Sequence, residues 1–176
     1  MIIKIKLFLK QQTDHLKKFS GQTWYPLLIG LLSFLDVFLI IVPSDSILLS
    51  STLLNPKRWL TFAIYMTIGS TLGLLILVLI LEYNGIELIL NYYPALKNST
   101  SWLWTQKFFG AYGLILVFVI AATPLAQQPS VILAVLAGIS TLPLITVIFL
   151  GRLLKFVLIS YVAVKAPKYI EKFLKH

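Results

Sequence analysis

This 176-residue chain contains no cysteine. That excludes a disulfide framework, a thiolate nucleophile and a cysteine-based metal site. Histidine occurs only as His15 and His176, both outside the apolar runs, which argues against a histidine metal site or Ser–His catalysis. Charge is also scarce: 12% of residues are charged, against about 25% in ordinary soluble domains. Apolar residues make up 59%, against a usual range of about 45–50% that even counts glycine. With a mean hydropathy of +0.91, too little polar surface remains to coat a water-soluble globule. An ordinary soluble enzyme and a disordered chain are both excluded, which leaves an integral membrane protein as the class, of one domain by length or at most two small ones.

What charge there is leans basic, with a net +9. Its placement points to lipid rather than nucleic acid, because most Lys and Arg sit at the two ends and in one short loop, beside long apolar stretches. Such segments face anionic headgroups at cytoplasmic membrane edges. Membrane lipids are therefore the expected partner, with no nucleic acid and no cofactor, and self-association into a homo-oligomer stays open. Lys4, Lys6 and Lys10 interrupt the first apolar run, so the N-terminus does not read as a cleavable signal. Residues 1–20 read instead as a basic amphipathic helix lying in the headgroup plane, with Ile5, Phe8, Leu9, Leu16 and Phe19 near one face.

Beyond it, the chain reads as an all-α polytopic membrane domain over residues 21–165. Trp24 to Val42 is apolar except for Asp36; Pro43-Ser44-Asp45-Ser46 follows, then a short apolar arm from Ile47 to Leu54. Eight residues of helix span only ~12 Å, far less than the ~30 Å hydrocarbon core. If the first arm crossed, the second would strand Lys57 and Arg58 in lipid. A re-entrant hairpin over residues 24–54 resolves this, with both arms entering from one side and Pro43-Ser44-Asp45 at the buried tip. Trp59 to Leu81 reads as a charge-free transmembrane helix. Residues 82–107 read as a linker with an aromatic belt of Tyr92, Tyr93, Trp102 and Trp104, and its Asn98-Ser99-Thr100 sequon reads as chance. A second hairpin is expected over 108–139, its tip in the Pro124–Pro129 segment and its short arm from Val131 to Gly138. A last transmembrane helix is expected over 143–164 and a basic tail over 166–176.

The two halves match at an offset of 82, which sets Asp45 on Gln127, Gly69 on Gly151 and Ser70 on Arg152. If the first hairpin enters from the cytoplasm and each long helix crosses once, eleven Lys/Arg are cytoplasmic. Lys97 and Lys107 are then outside, and Arg152 and Lys155 lie in the membrane. The positive-inside rule is satisfied, with both termini cytoplasmic and the second hairpin entering from the opposite side. Inverted halves with broken helices at the midplane are a construction of secondary transporters.

The segments Leu39-Ile40-Ile41-Val42-Pro43-Ser44-Asp45-Ser46-Ile47-Leu48, Asn55-Pro56-Lys57-Arg58-Trp59 and Ile68-Gly69-Ser70-Thr71-Leu72-Gly73 carry a resemblance. Phe108-Phe109-Gly110-Ala111-Tyr112-Gly113, the Pro124–Pro129 segment, Ala137-Gly138 and Gly151-Arg152 continue it. Over about residues 20–165 the chain resembles the DedA superfamily, also called the VTT-domain or SNARE-associated family, in its small YqaA-like branch. The resemblance implies opposed re-entrant hairpins and lipid translocation in a bacterial inner membrane, with proton coupling in some members and scramblase activity in eukaryotic relatives. Asp36 and Asp45 stand at the family's acidic positions. Ala121 and Gln127 stand where its two arginines are expected, leaving Arg152 as the cation that could substitute.

Each of these residues has a structural alternative. A charge within the membrane costs ~2.5–3.5 kcal/mol on insertion scales, so it faces a cavity or a partner. Asp36 is either a buried clamp or part of a path. Asp45, with Ser44, is an N-cap for a helix starting near Ser46, a role compatible with binding. Gln127 and Gln128 serve as hydrogen-bonding glue at a broken tip or as ligands. Lys155 can snorkel, whereas Arg152 is ~18 Å along the axis from Ala163, long for snorkelling, and serves either a bidentate phosphate or carboxylate contact or a purely structural salt bridge to Asp36 or Asp45. Gly69, Gly73, Gly138 and Gly151 read as close-packing positions. Asp36, Asp45 and Arg152 are expected to converge at the midplane, with Arg152 facing the interior within direct or one-water reach of a carboxylate. The expected transport or lipid-binding set is Asp36, Pro43, Ser44, Asp45, Pro124, Gln127, Gln128, Arg152 and Lys155. The function expected is movement of a phosphate-bearing lipid through a polar path. The alternative is a non-transporting membrane scaffold or envelope assembly factor, and no metal site or activated nucleophile is visible to support an enzyme.

Overall fold

The computed structural model describes residues 19–39, 44–85, 100–125 and 127–174, and the side chains of 19–39, 44–83, 103–104, 107–125 and 127–165. The expected interfacial helix (but for its last two residues), Pro43, most of the linker, and the side chains of the tail lie outside these. The described residues form helices and turns, with no strand among them. Six helices follow in order: α1 (Tyr25–Leu39), α2 (Ser44–Leu54), α3 (Trp59–Ile80), α4 (Thr100–Ala122), α5 (Gln128–Leu136) and α6 (Thr141–Leu174). A single 3-10 turn, Pro56–Arg58, leads into α3, and a π turn, Leu81–Gly85, ends it.

Among the described residues, two apolar helical stretches are long enough to cross a bilayer: Pro56–Tyr83 and Thr141–Lys165. Only 39% and 28% of their apolar cores are buried, unlike the central helix of a soluble globule. The rest shows as stripes four residues apart: Leu60, Ile64, Ile68, Leu72 and Ile76 on α3, and Leu150, Leu154, Leu158 and Val162 on α6. A helix that is apolar on its exposed face as well as its buried one fits lipid, not water.

The chain divides into two compact units. One comprises Met1–Gly69 and Phe156–His176, the other Ser70–Lys155. Each long helix contributes to both.

In the first unit, α1 and α2 form an antiparallel helical hairpin. Near its open end Tyr25 Oη and Ser51 Oγ are hydrogen-bonded at 2.9 Å; near its tip Ser44 bonds to Asp36. Ile29, Leu48, Phe62, Ala63, Met66 and Phe156 make one buried cluster. Gly30 and Gly69 let α1 and α3 touch backbone to backbone: a Cβ on Gly69 would sit 1.9 Å from the Gly30 carbonyl oxygen.

In the second unit, α4 and α5 form another helical hairpin. Gly151 lets α6 close on α4, since a Cβ there would lie 2.6 Å from the Ala121 Cβ. Gly138, by contrast, has open space around it. Its φ of +82° and the bonds Gly138 N–H to Val135 O (2.9 Å) and Ile139 N–H to Ala134 O (3.1 Å) form a Schellman cap that ends α5. The close-packing expectation therefore holds for Gly69 and Gly151, and Gly138 is needed for its backbone conformation instead.

Several boundaries differ from expectation. The last part of the linker is helical: Trp104, Phe108 and Tyr112 recur every four residues, with Trp104 stacked on Phe108 at 5.2 Å and Phe108 tilted against Tyr112 at 5.7 Å. The last helix, expected over 143–164, does not end before the tail. Helix α6 runs on to Leu174, with Pro167 removing one backbone donor from a ladder that continues on both sides.

Candidate functional site

Each unit holds its own polar cluster at a hairpin tip. In the first, Asp36 lies in the last turn of α1 and Ser44 opens α2. Ser44 Oγ donates to Asp36 Oδ2 at 2.7 Å. Ser44 is buried, while Asp36 and Asp45 are half-buried. The helix starts at Ser44 rather than near Ser46, so Asp45 is a first-turn acid and not the cap. There its charge opposes the positive end of the α2 dipole. The Ser44 hydroxyl, being spent on Asp36, closes the hairpin across its tip. Ser33 Oγ, one turn before Asp36 on α1, is fully buried and makes no hydrogen bond among the described residues.

The open end of this hairpin is tied as well. Arg58 Nη1 donates to the Gln22 carbonyl at 2.8 Å, and Asn55 Nδ2 to the Ser20 carbonyl at 3.4 Å. The residues just before α1 and just after α2 therefore meet. From Tyr25 to Asp36 is eleven residues of rise, or ~17 Å.

The second cluster centres on Arg152. Its position on α6 continues the buried row Leu144, Ile148, Phe156 and Ser160, so the guanidinium points inward and Arg152 is only 6% exposed. Arg152 Nε donates to Gln127 Oε1 at 2.8 Å. Gln127 is 3% exposed and immediately precedes α5. Because Arg152 can only donate, the glutamine oxygen must face it, which leaves Gln127 Nε2 as the outward donor. That amide nitrogen is buried and makes no hydrogen bond among the described residues. Ser130 Oγ donates back to the Gln127 carbonyl at 2.8 Å and fixes the turn. Lys155, one turn beyond Arg152, and Gln128 are half-buried; Pro124 is exposed in the turn.

Of the expected residues, Asp36 and Ser44 come together in the first unit, and Gln127 and Arg152 in the second. Sequence reasoning missed Ser33 and Ser130. Ser33 stands three residues before Asp36 and three after Gly30, a small polar position on the contact face of α1, and that spacing was the available signal. Ser130 follows Gln127 at the i+3 spacing that back-bonds a hydroxyl to a carbonyl.

No family model matches the chain, and no solved structure matches it. It is similar to an uncharacterized protein of Haemophilus influenzae, with 23% identity over 135 residues that cover 77% of this chain and 70% of that protein.

Proposed function

We propose that this protein is a polytopic membrane protein of the DedA type that moves a phosphate-bearing lipid headgroup across a bacterial inner membrane, as a transporter or scramblase. In this reading both helical hairpins are re-entrant, α3 and α6 cross the bilayer, and both termini are cytoplasmic. The tie from Arg58 to Gln22 supports re-entrance of the first hairpin: its two ends meet, and an α2 of 11 residues reaches only ~16 Å. A tip ~17 Å from that end stands near the middle of a ~30 Å core.

The observation that carries the functional reading is the inward-facing Arg152 with its Gln127 partner, placed at a break between helices. The planar fork of a guanidinium carries five donors, so it can hold the Gln127 oxygen and meet further acceptors at once. A phosphate headgroup arriving with its acyl tails in lipid is such an acceptor. The carboxylates of the first hairpin tip supply a second polar station.

Purified protein in liposomes carrying a fluorescent phospholipid tests the reading. Dithionite should quench inner-leaflet label in wild-type vesicles, through its delivery to the outer leaflet. Quenching no greater than in protein-free vesicles would reject transport and favour the scaffold.

A further inference from the structure

We propose that Trp59, Tyr161 and Lys165 form a headgroup site for an anionic phospholipid of the surrounding bilayer, at the membrane face where α3 begins and the apolar part of α6 ends. The proposal rests on the reading that α3 and α6 cross a bilayer, but not on transport, and its geometry lies within the first unit.

The three side chains make one cluster. Trp59 opens α3, and its ring meets Tyr161 edge-on, with centroids 6.1 Å apart and planes at 63°. Lys165 follows Tyr161 by one turn of α6, and its Nζ stands 5.5 Å from the Tyr161 ring centroid. Helical side chains lean toward the N-terminus of their helix. On α6 that carries the ammonium back toward the apolar stripe, and the ring holds it there by a cation–π contact. A lysine that only sought water would extend the other way, along the basic tail.

A cation so held still has hydrogens to give. An ammonium carries three donors, and a ring face answers only one side of it. Lys165 is exposed. Neither helix supplies it with a carboxylate nearby: α3 contains no Asp or Glu, and in α6 the only one is Glu171, six positions past Lys165 and so not an i+3 or i+4 partner. The Tyr161 hydroxyl and the Trp59 indole N–H are further donors of the kind that meet ester and phosphate oxygens.

Beside the cluster the surface is apolar. Leu158 and Val162 share the face of α6 that carries Tyr161 and Lys165, and Leu60 and Ile64 continue down α3 from Trp59; all four are exposed. A phosphate at Lys165 thus has apolar surface for its acyl chains next to it, with two amphipathic rings at the level between. Charge then selects among headgroups. Lys57 and Arg58 stand just before Trp59 and add to a basic edge. A headgroup of net negative charge is drawn to that edge. Phosphatidylethanolamine brings an ammonium of its own, which Lys165 repels. A diffuse basic edge would treat every lysine alike, whereas this site requires the one over Tyr161.

Native mass spectrometry of the full-length protein in detergent tests this, with phosphatidylglycerol and phosphatidylethanolamine of equal chain length as probes. Wild type should retain phosphatidylglycerol about tenfold over phosphatidylethanolamine. Lys165→Gln and Tyr161→Leu should lose most of that preference. Lys57→Gln removes the same charge from the same edge without touching the ring pair, and should keep it. Lys57, Tyr161 and Lys165 are all exposed, and a melting curve of each variant confirms that it folds. Equal retention of the two lipids by wild type overturns the proposal, and so does wild-type preference in folded Lys165→Gln. Equal losses in Lys57→Gln and Lys165→Gln assign the effect to diffuse charge and overturn it too. Soluble glycerophosphoglycerol at the lipid's own concentration should not displace it; displacement would overturn the assignment to a lipid. Scrambling in liposomes reads transport separately: selectivity without scrambling leaves this site standing, and scrambling without selectivity removes the site and leaves transport. Maleimide labelling of single cysteines reads the crossing of α3 and α6 by itself.

Discussion

Ser44 Oγ donates to Asp36 Oδ2 at 2.7 Å, and this bond pins the first turn of α2 to the last turn of α1. It separates structure from charge at the tip. Asp36→Asn keeps an acceptor for the hydroxyl but removes the carboxylate, so its thermal stability in detergent should stay within about 1 kcal/mol of wild type. Ser44→Ala removes the donor and should cost about 1–2 kcal/mol. If the carboxylate serves transport, Asp36→Asn lowers the scrambling rate while its melting curve stays in place. Equal rates in Asp36→Asn and wild type would reduce Asp36 to a clamp.

The glycines should rank by what surrounds them. Gly69→Ala drives a methyl group into the Gly30 carbonyl and forces α1 and α3 apart, costing about 1–3 kcal/mol or more. Gly138→Ala meets no atom but must hold a φ of +82°, which costs about 1–2 kcal/mol. Gly110→Ala, in open space on α4, should be neutral or stabilising by up to about 1 kcal/mol through helix propensity. Thermal unfolding of the three purified variants checks the order.

The helices and their approximate spans were legible because apolar run length, Pro and Gly punctuation and charge placement act locally. Trp59 as the start of α3 and Ala122 as the end of α4 both follow from such signals. The start of α4 was not legible, because Trp102 and Trp104 read as part of an interfacial belt in the linker. The ring contacts from Trp104 through Phe108 to Tyr112 follow one helical face. The site was half legible. Arg152 stood out as a charge in an apolar run, and the offset of the two halves singled out Gln127. Their mutual hydrogen bond, 25 residues apart in sequence, depends on how α6 packs beside the second hairpin, which no local pattern encodes. The freedom of Gln127 Nε2 follows from that bond and was invisible for the same reason.

Topology can be read directly because the chain has no native cysteine. Single cysteines replacing Gln22 and Lys57 should both react with a membrane-impermeant maleimide only from the cytoplasmic side, since Gln22 and Arg58 are held together at the open end of the hairpin. A cysteine at Lys107 should label from outside. Labelling of residue 57 from outside would reject the re-entrant arrangement, and labelling of 22 and 57 from opposite sides would mean that the hairpin spans.

Arg152 carries the functional reading, so its substitutions divide charge from geometry. Arg152→Ala removes the donor that Gln127 Oε1 accepts from, and a buried acceptor left unmet costs about 1–3 kcal/mol. The protein should still insert, given that neither long helix depends on this residue for its apolar length. Scrambling should fall to the protein-free rate. Arg152→Lys keeps the positive charge but loses the planar fork, which is what holds Gln127 and a phosphate oxygen at once. It should retain most of the stability and lose transport by about tenfold or more, because a point charge alone does not orient the Gln127 amide. Transport at the wild-type rate in correctly inserted Arg152→Ala would remove Arg152 from the mechanism. Full activity in Arg152→Lys would mean that charge alone matters there, and the role given to the guanidinium fork would fail.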